Sequence, residues 1–186
     1  MSKRLAKFLP VWLAVVVVAF ATVTATAWAA AQMAPTAKPA KTIAADAPFL
    51  VHGDKTYLRS YKGQPIMLWQ VATWCPSCRA GLQTLAQHKS LIDASHLKII
   101  VLRDYQNGGY SGPDMATFVA QSAPTLLHDP HFVYGEDTEA LFKLYNPHHY
   151  VDVYHLIGPD GDIALISSAP SATFDKIERF IKAGAK

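Results

Sequence analysis

Cys75 and Cys78 are the only thiols in this 186-residue chain, and they stand three positions apart in Ala-Thr-Trp-Cys-Pro-Ser-Cys-Arg-Ala-Gly, residues 72–81. A pair at this spacing can exchange a disulfide with another molecule, grip a metal ion, or staple a loop. Stapling contributes least, because closing so short a loop removes little chain entropy from the unfolded state. A helix beginning at Cys75 would aim unpaired N–H groups and the positive end of its dipole at that sulfur and stabilise its thiolate. Pro76 suits such a first turn. Cys78 would then lie one turn on and on the same face, placed to attack a mixed disulfide formed at Cys75. The inner residues Pro76 and Ser77 would influence the redox potential of the pair.

The flanking sequence supplies elements that can hold the pair in this way. Gln64–Thr73, "QPIMLWQVAT", is an apolar run suited to a central strand. "CPSCRAGLQTLAQHKSLI" spaces Leu82, Leu85 and Ala86 at helical intervals. Upstream, "FLVHGDKTYL" reads as a hairpin around Gly53-Asp54. Downstream, "LKIIVLRDY" predicts a further strand, Asp114 can cap a helix of about ten residues, and "DTEALFKLY" predicts another helix, stopped by Asn146-Pro147. "VDVYHLIGPDGDIALIS" then gives strand, turn and strand, and "ATFDKIERFIKAG" closes the chain with an amphipathic helix. Alternating strands and helices followed by a terminal hairpin and helix predict an α/β fold, a mixed central sheet with helices on both faces. The Cys pair falls where a buried strand passes into a helix, the edge at which open sheets collect their functional groups.

Before this domain, residues 1–31 carry Lys3, Arg4 and Lys7 and then an uncharged apolar run from Phe8 to Ala31. This is the pattern of an export signal or a membrane anchor. Several small-x-small sites, such as Ala27-Trp28-Ala29, suit cleavage, but the run is longer than the usual cleaved core of roughly 7–15 residues. The reading adopted is a single-pass anchor, or a signal peptide if it is cleaved; either way the rest of the chain lies outside the cytoplasm, in the periplasm. Residues 32–45, rich in Ala, Pro and Lys, read as a linker to a domain spanning 46–186. All five basic residues before position 46 lie in these leading segments, so the domain carries 12 basic against 14 acidic residues. That balance gives no electrostatic footprint for nucleic acid, and two cysteines do not make a disulfide scaffold.

"LRSYKGQPIMLWQVATWCPSCRAG", residues 58–81, resembles the thioredoxin-like superfamily, in particular its extracytoplasmic TlpA/ResA-type thiol-disulfide oxidoreductases, with a Leu-x-x-x-x-Gly-x-Pro lead-in, an apolar strand and Ala-Thr-Trp-Cys-x-x-Cys-Arg. "YNPHHYVDVYHLIGPDGDI" resembles the family's closing strand and Asp-Gly hairpin. The resemblance implies a thioredoxin-like three-layer fold over roughly residues 46–184. It also implies that Cys75 attacks, that Cys78 resolves and that Trp74 shields the active-site surface alongside Pro76 and Ser77.

Two positions depart from the family pattern. Where members carry a cis-proline before the closing strand, alignment puts Asp152, preceded by Val151; Pro147 is five residues too early. Where thioredoxins place a buried acid six residues ahead of the first cysteine, this chain has Trp69, and no such acid is assigned.

The missing proline opens a metal alternative, in which Asp152, together with His148 or His149 on the preceding loop, could supply ligands beside the thiols. Copper-delivery proteins of the Sco type are thioredoxin-like and use a Cys pair plus a histidine shortly before a similar strand. His149 stands near that place, although their cysteines are separated by three residues and these by two. The alternative ligand set is therefore Cys75, Cys78 and His149. His148, His128 and His131 read as loop and turn residues, and His155 as a satisfied core histidine. The principal expectation is exchange of disulfides with client protein thiols, without a bound cofactor and with a membrane electron donor if the protein acts as a reductant. The alternative is a copper metallochaperone.

Overall fold

A computed structural model describes residues 41–184. The apolar run of residues 8–31 and the anchor or signal reading placed on it lie outside the described residues. Among the described residues, no helix is long and apolar enough to cross a membrane.

Seven strands form one mixed sheet: β1 (Pro48–Val51), β2 (Asp54–Tyr57), β3 (Ile66–Val71), β4 (Lys98–Arg103), β5 (Phe132–Glu136), β6 (Val153–Ile157) and β7 (Ile163–Ser168). Their spatial order is β2-β1-β5-β4-β3-β6-β7. β3, β4 and β5 run parallel; β1 and β6 flank them antiparallel, and β2 and β7 close the two edges antiparallel. The α-helices among the described residues are α1 (Pro76–Gln87), α2 (Lys89–Asp93), α3 (Met115–Ser122), α4 (Glu139–Tyr145) and α5 (Pro170–Gly184).

Every residue of β3 is buried, as expected of a strand covered on both faces. The period-2 alternation divides its side chains between two cores. Met67, Trp69 and Val71 enter one with Leu82 and Leu85 of α1, Phe118 of α3 and Phe174, Ile177 and Ile181 of α5. Ile66 and Leu68 enter the other with Phe49, Leu102 and Leu141. On α1 the buried positions are Cys78, Gly81, Leu82 and Leu85, so Cys78 belongs to the helix's apolar stripe. Gly81 is required by the close seat of that helix: a Cβ there would lie 2.6 Å from the Trp69 ring and 3.3 Å from Pro170.

The expected hairpin forms between β1 and β2, with His52 and Gly53 both at positive φ, which suits a tight two-residue turn. Asp114 caps α3 by accepting the Thr117 backbone N–H at 2.8 Å. Three features differ from the sequence-based expectation. The helix beginning at the Cys pair breaks at His88 (φ −103°, ψ 20°), and α2 follows as a separate turn. β5 was not expected, because Pro130 precedes it and Gly135 interrupts its pattern. Gly135 is needed where β1 crosses: a Cβ there would come within 2.3 Å of the Leu50 carbonyl oxygen. Finally, residues assigned to the linker also touch the domain. The Ala44 N–H bonds the Gly161 carbonyl, the Ile163 N–H bonds that of Thr42, and Lys41 pairs with Asp160.

Candidate active site

β3 ends at Val71, and the chain turns through Ala72–Cys75 into α1. Cys75 is the N-cap residue and Pro76 the first helical residue, as the sequence predicts. The Cys75 N–H bonds the Ala72 carbonyl at 3.0 Å, and its own carbonyl accepts the Arg79 N–H at 3.2 Å. Both thiols are free. Their environments differ: Cys75 keeps 7% of its surface and Cys78 none. Cys75 Sγ and the Ser77 hydroxyl are 3.1 Å apart. Burial, reinforced by the nearby Asp152 carboxylate and by Cys75, pushes the Cys78 thiol far above its ordinary range. It is therefore held protonated at rest.

Trp74 and Ser77 stand at the surface beside the pair, together with Pro76. The Trp74 indole N–H donates to the Asn107 carbonyl at 2.7 Å and its ring meets Tyr110 edge-on with centroids 5.0 Å apart. Asn107 also accepts the Thr73 backbone N–H at 2.9 Å and donates to the Tyr110 carbonyl at 2.8 Å. The buttress behind Trp74 is therefore Asn107, a residue that the sequence reading passed over. Its signal was Asn-Gly-Gly, since Asn tolerates the left-handed backbone (φ 54°) that this loop adopts.

Asp152 occupies the position of the expected cis-proline, and no cis peptide occurs among the described residues. Its backbone is left-handed (φ 70°), and its side chain is buried against the Cys pair. One carboxylate oxygen accepts the Trp69 indole N–H at 2.8 Å, while the other has no hydrogen-bond partner. Burial raises its pKa above the ordinary carboxylate range, against the Ser77 hydroxyl and Trp69, which favour the charged form. Cys75 Sγ, Cys78 Sγ and an Asp152 oxygen all lie within 4.8 Å of one another.

His149 does not join this group. It is exposed, stands edge-on to Phe142 at 4.8 Å, and lines a separate pocket of about 360 Å³ with Asp104 and Tyr105. The metal alternative thereby loses the histidine that suggested it, because the turn after Asn146 carries that side chain to the far face of the sheet. The third donor beside the thiols is a carboxylate, a hard ligand poorly matched to copper(I), and one of its oxygens is committed to Trp69. Of the donors drawn from sequence, Cys75, Cys78 and Asp152 come together and His149 stands apart, so the Cys-Cys-His copper set is not assembled.

The opposite face holds a second polar group at the carboxyl ends of the parallel strands. Gln70 of β3 donates to Asp137, just past β5, at 2.6 Å. Asp104 lies just past β4, and one oxygen each of Gln70, Asp104 and Asp137 lacks a partner. Burial pushes Asp104 up to about 6, and burial together with the Asp104 charge pushes Asp137 up to about 7. His155, read as a satisfied core histidine, is buried beside Tyr145 but leaves Nδ1 without a partner, and burial lowers its pKa to about 4. His131 bonds the Leu97 carbonyl at 2.9 Å and organises a turn.

No protein-family model matches the sequence, and no curated protein matches it. Solved structures do. The chain is similar to BsSco, a member of the Sco family of cytochrome c oxidase assembly proteins, at 15% identity and TM-score 0.59 over 80% of this chain and 96% of that one. It is similar to a thiol:disulfide interchange protein of the thioredoxin family from Chlorobium tepidum TLS at 17% identity and TM-score 0.56, covering 81% and 100%. A secreted Mycobacterium tuberculosis disulfide oxidoreductase homologous to E. coli DsbE matches at 21% identity and TM-score 0.53, covering 74% and 95%. At these identities the likeness is one of fold, and it agrees with the seven-stranded mixed sheet and the strand-to-helix position of the Cys pair: the chain has the thioredoxin-like fold.

Proposed function

We propose that this protein is a thiol–disulfide oxidoreductase that exchanges disulfides with client proteins outside the cytoplasm. What carries the reading is the unequal placement of two free thiols: Cys75, the N-cap of α1, keeps 7% of its surface, and Cys78 lies beneath it with no exposed area. Cys75 attacks a client disulfide, and Cys78 releases the client by closing the Cys75–Cys78 bond. Trp74, held by Asn107, forms the rim against which a client chain lies. Fold neighbours that are thiol:disulfide interchange proteins support the same reading. The residues before 41 would tether the domain to the membrane, where a donor could return electrons to the pair.

The test is equilibration of the full chain in glutathione redox buffers, with the two thiols counted by alkylation and mass measurement. A two-electron transition is expected, and Cys78→Ser is expected to accumulate a mixed disulfide at Cys75. An inert pair across the accessible range would overturn the proposal.

A further inference from the structure

Resolution requires Cys78 to lose a proton in a place that water does not reach, since the residue has no exposed surface and its thiol is held protonated. A proton acceptor must therefore come from the protein. The strand position six residues before Cys75 is filled by Trp69, which is not basic. Its indole N–H instead binds one oxygen of Asp152 at 2.8 Å and fixes the carboxylate, leaving the second oxygen buried and without a hydrogen-bond partner. The carboxylate lies within 4.8 Å of both sulfurs, close enough for a small turn of the thiol to bring its proton to the carboxylate. Asp152 reaches it from a left-handed backbone, a conformation that Asp tolerates better than most residues.

We propose that Asp152 is the proton acceptor for Cys78 in the resolving step. This rests on the thiol-exchange reading. In the mixed disulfide, the Cys78 thiol gives its proton to the free oxygen of Asp152 as its sulfur bonds Cys75 Sγ. The bond between Cys75 and the client sulfur breaks, and its electron pair leaves as client thiolate, which takes a proton from solvent. The client disulfide gains two electrons and the Cys75–Cys78 pair loses two; the client is the oxidant. In the reverse direction Asp152 returns the proton to Cys78. The titratable groups that lie beside Asp152 among the described residues are the two thiols of α1; burial raises its pKa, and the Ser77 hydroxyl and the Trp69 indole oppose that shift. His155 belongs to the opposite face of the sheet, beside Tyr145.

The experiment mixes the reduced full chain with oxidised glutathione, quenches with acid and follows glutathione adduct at Cys75 by mass. Asp152→Asn, which can still accept the Trp69 N–H, is expected to accumulate the Cys75 adduct and to resolve it roughly 100-fold more slowly than the wild type. Its resolution should rise tenfold per pH unit, where the wild type levels off once Asp152 is ionised. Trp69→Phe, which removes the hydrogen bond to the first oxygen, should move that levelling to higher pH. Asp152→Glu should restore part of the rate. Adduct that resolves at the wild-type rate and pH profile in Asp152→Asn overturns the assignment while leaving thiol exchange standing. No adduct in the wild type overturns both.

Discussion

Asp137→Asn should stabilise the protein, and increasingly so as the pH rises. Asp137 is buried, accepts one hydrogen bond from Gln70, and shares its surroundings with Asp104. Burial raises its pKa from 3.8 to about 7, so between these values the folded chain holds a proton that the unfolded chain has released. Stability therefore falls as pH rises: the penalty is absent below 3.8, grows through the interval and levels off above about 7. At about 1.36 kcal/mol per pKa unit, the change from pH 5 to pH 8 through this one group is about 2.5 kcal/mol. Asn keeps the oxygen that accepts from Gln70 and carries no charge, so the variant escapes the penalty. His155 acts in the opposite sense. Its pKa is lowered to about 4, so stability is lost as pH falls from 6.5 toward that value. This contribution is common to both proteins and cancels in their difference. Urea unfolding at pH 5 and pH 8, followed by tryptophan emission, measures that difference. A gap between variant and wild type that stays constant with pH refutes a buried, ionising Asp137.

Gly81→Ala tests the seat of α1. Intrinsic helix preference favours Ala by about 0.8–1.0 kcal/mol, but the new methyl would lie 2.6 Å from the rigid, buried Trp69 ring, and overpacking of this kind costs about 1–3 kcal/mol. A net loss of stability is expected, against little change for Gly184→Ala, where the space is open; a stabilised Gly81→Ala would contradict the packing. Asn107→Ala should cost about 1–3 kcal/mol by orphaning the buried Thr73 N–H, and should raise acrylamide quenching of Trp74, read as the difference from Trp74→Phe. His149→Ala should change neither the glutathione midpoint nor a copper(I) titration, because that side chain faces Phe142 on the other side of the sheet.

The local sequence carried the fold well where the hydrophobic period was clean. The continuous apolar run of β3, the i, i+3, i+4 stripe of α1 and the capping Asp114 all specify their elements without distant help. β5 was hidden because its glycine answers to β1, a neighbour more than eighty residues earlier. The candidate site was legible in the same proportion. Cys75, Cys78 and Trp74 sit in one short motif, and the absence of the family proline pointed to Asp152. What the sequence did not carry was the direction in which Asp152 and His149 face, three residues apart on one loop. That depends on positive φ at both positions, and it sends the carboxylate to the thiols and the imidazole to the opposite face. The Trp69–Asp152 bond was equally hidden, since each residue looked like the loss of something expected rather than half of a pair.

Residues 42–45 align with the start of β7 and the turn after β6, at the amino-terminal end of β3, whereas the thiols stand at its carboxyl-terminal end. The polypeptide thus enters the domain at one pole and does its proposed chemistry at the other. A client pressed against Trp74 and Cys75 therefore lies at the opposite end of β3 from residues 42–45. Docking at the thiols would then be governed by rim residues such as Trp74 and not by residues 42–45, so substitutions in that entering segment should leave client recognition unchanged.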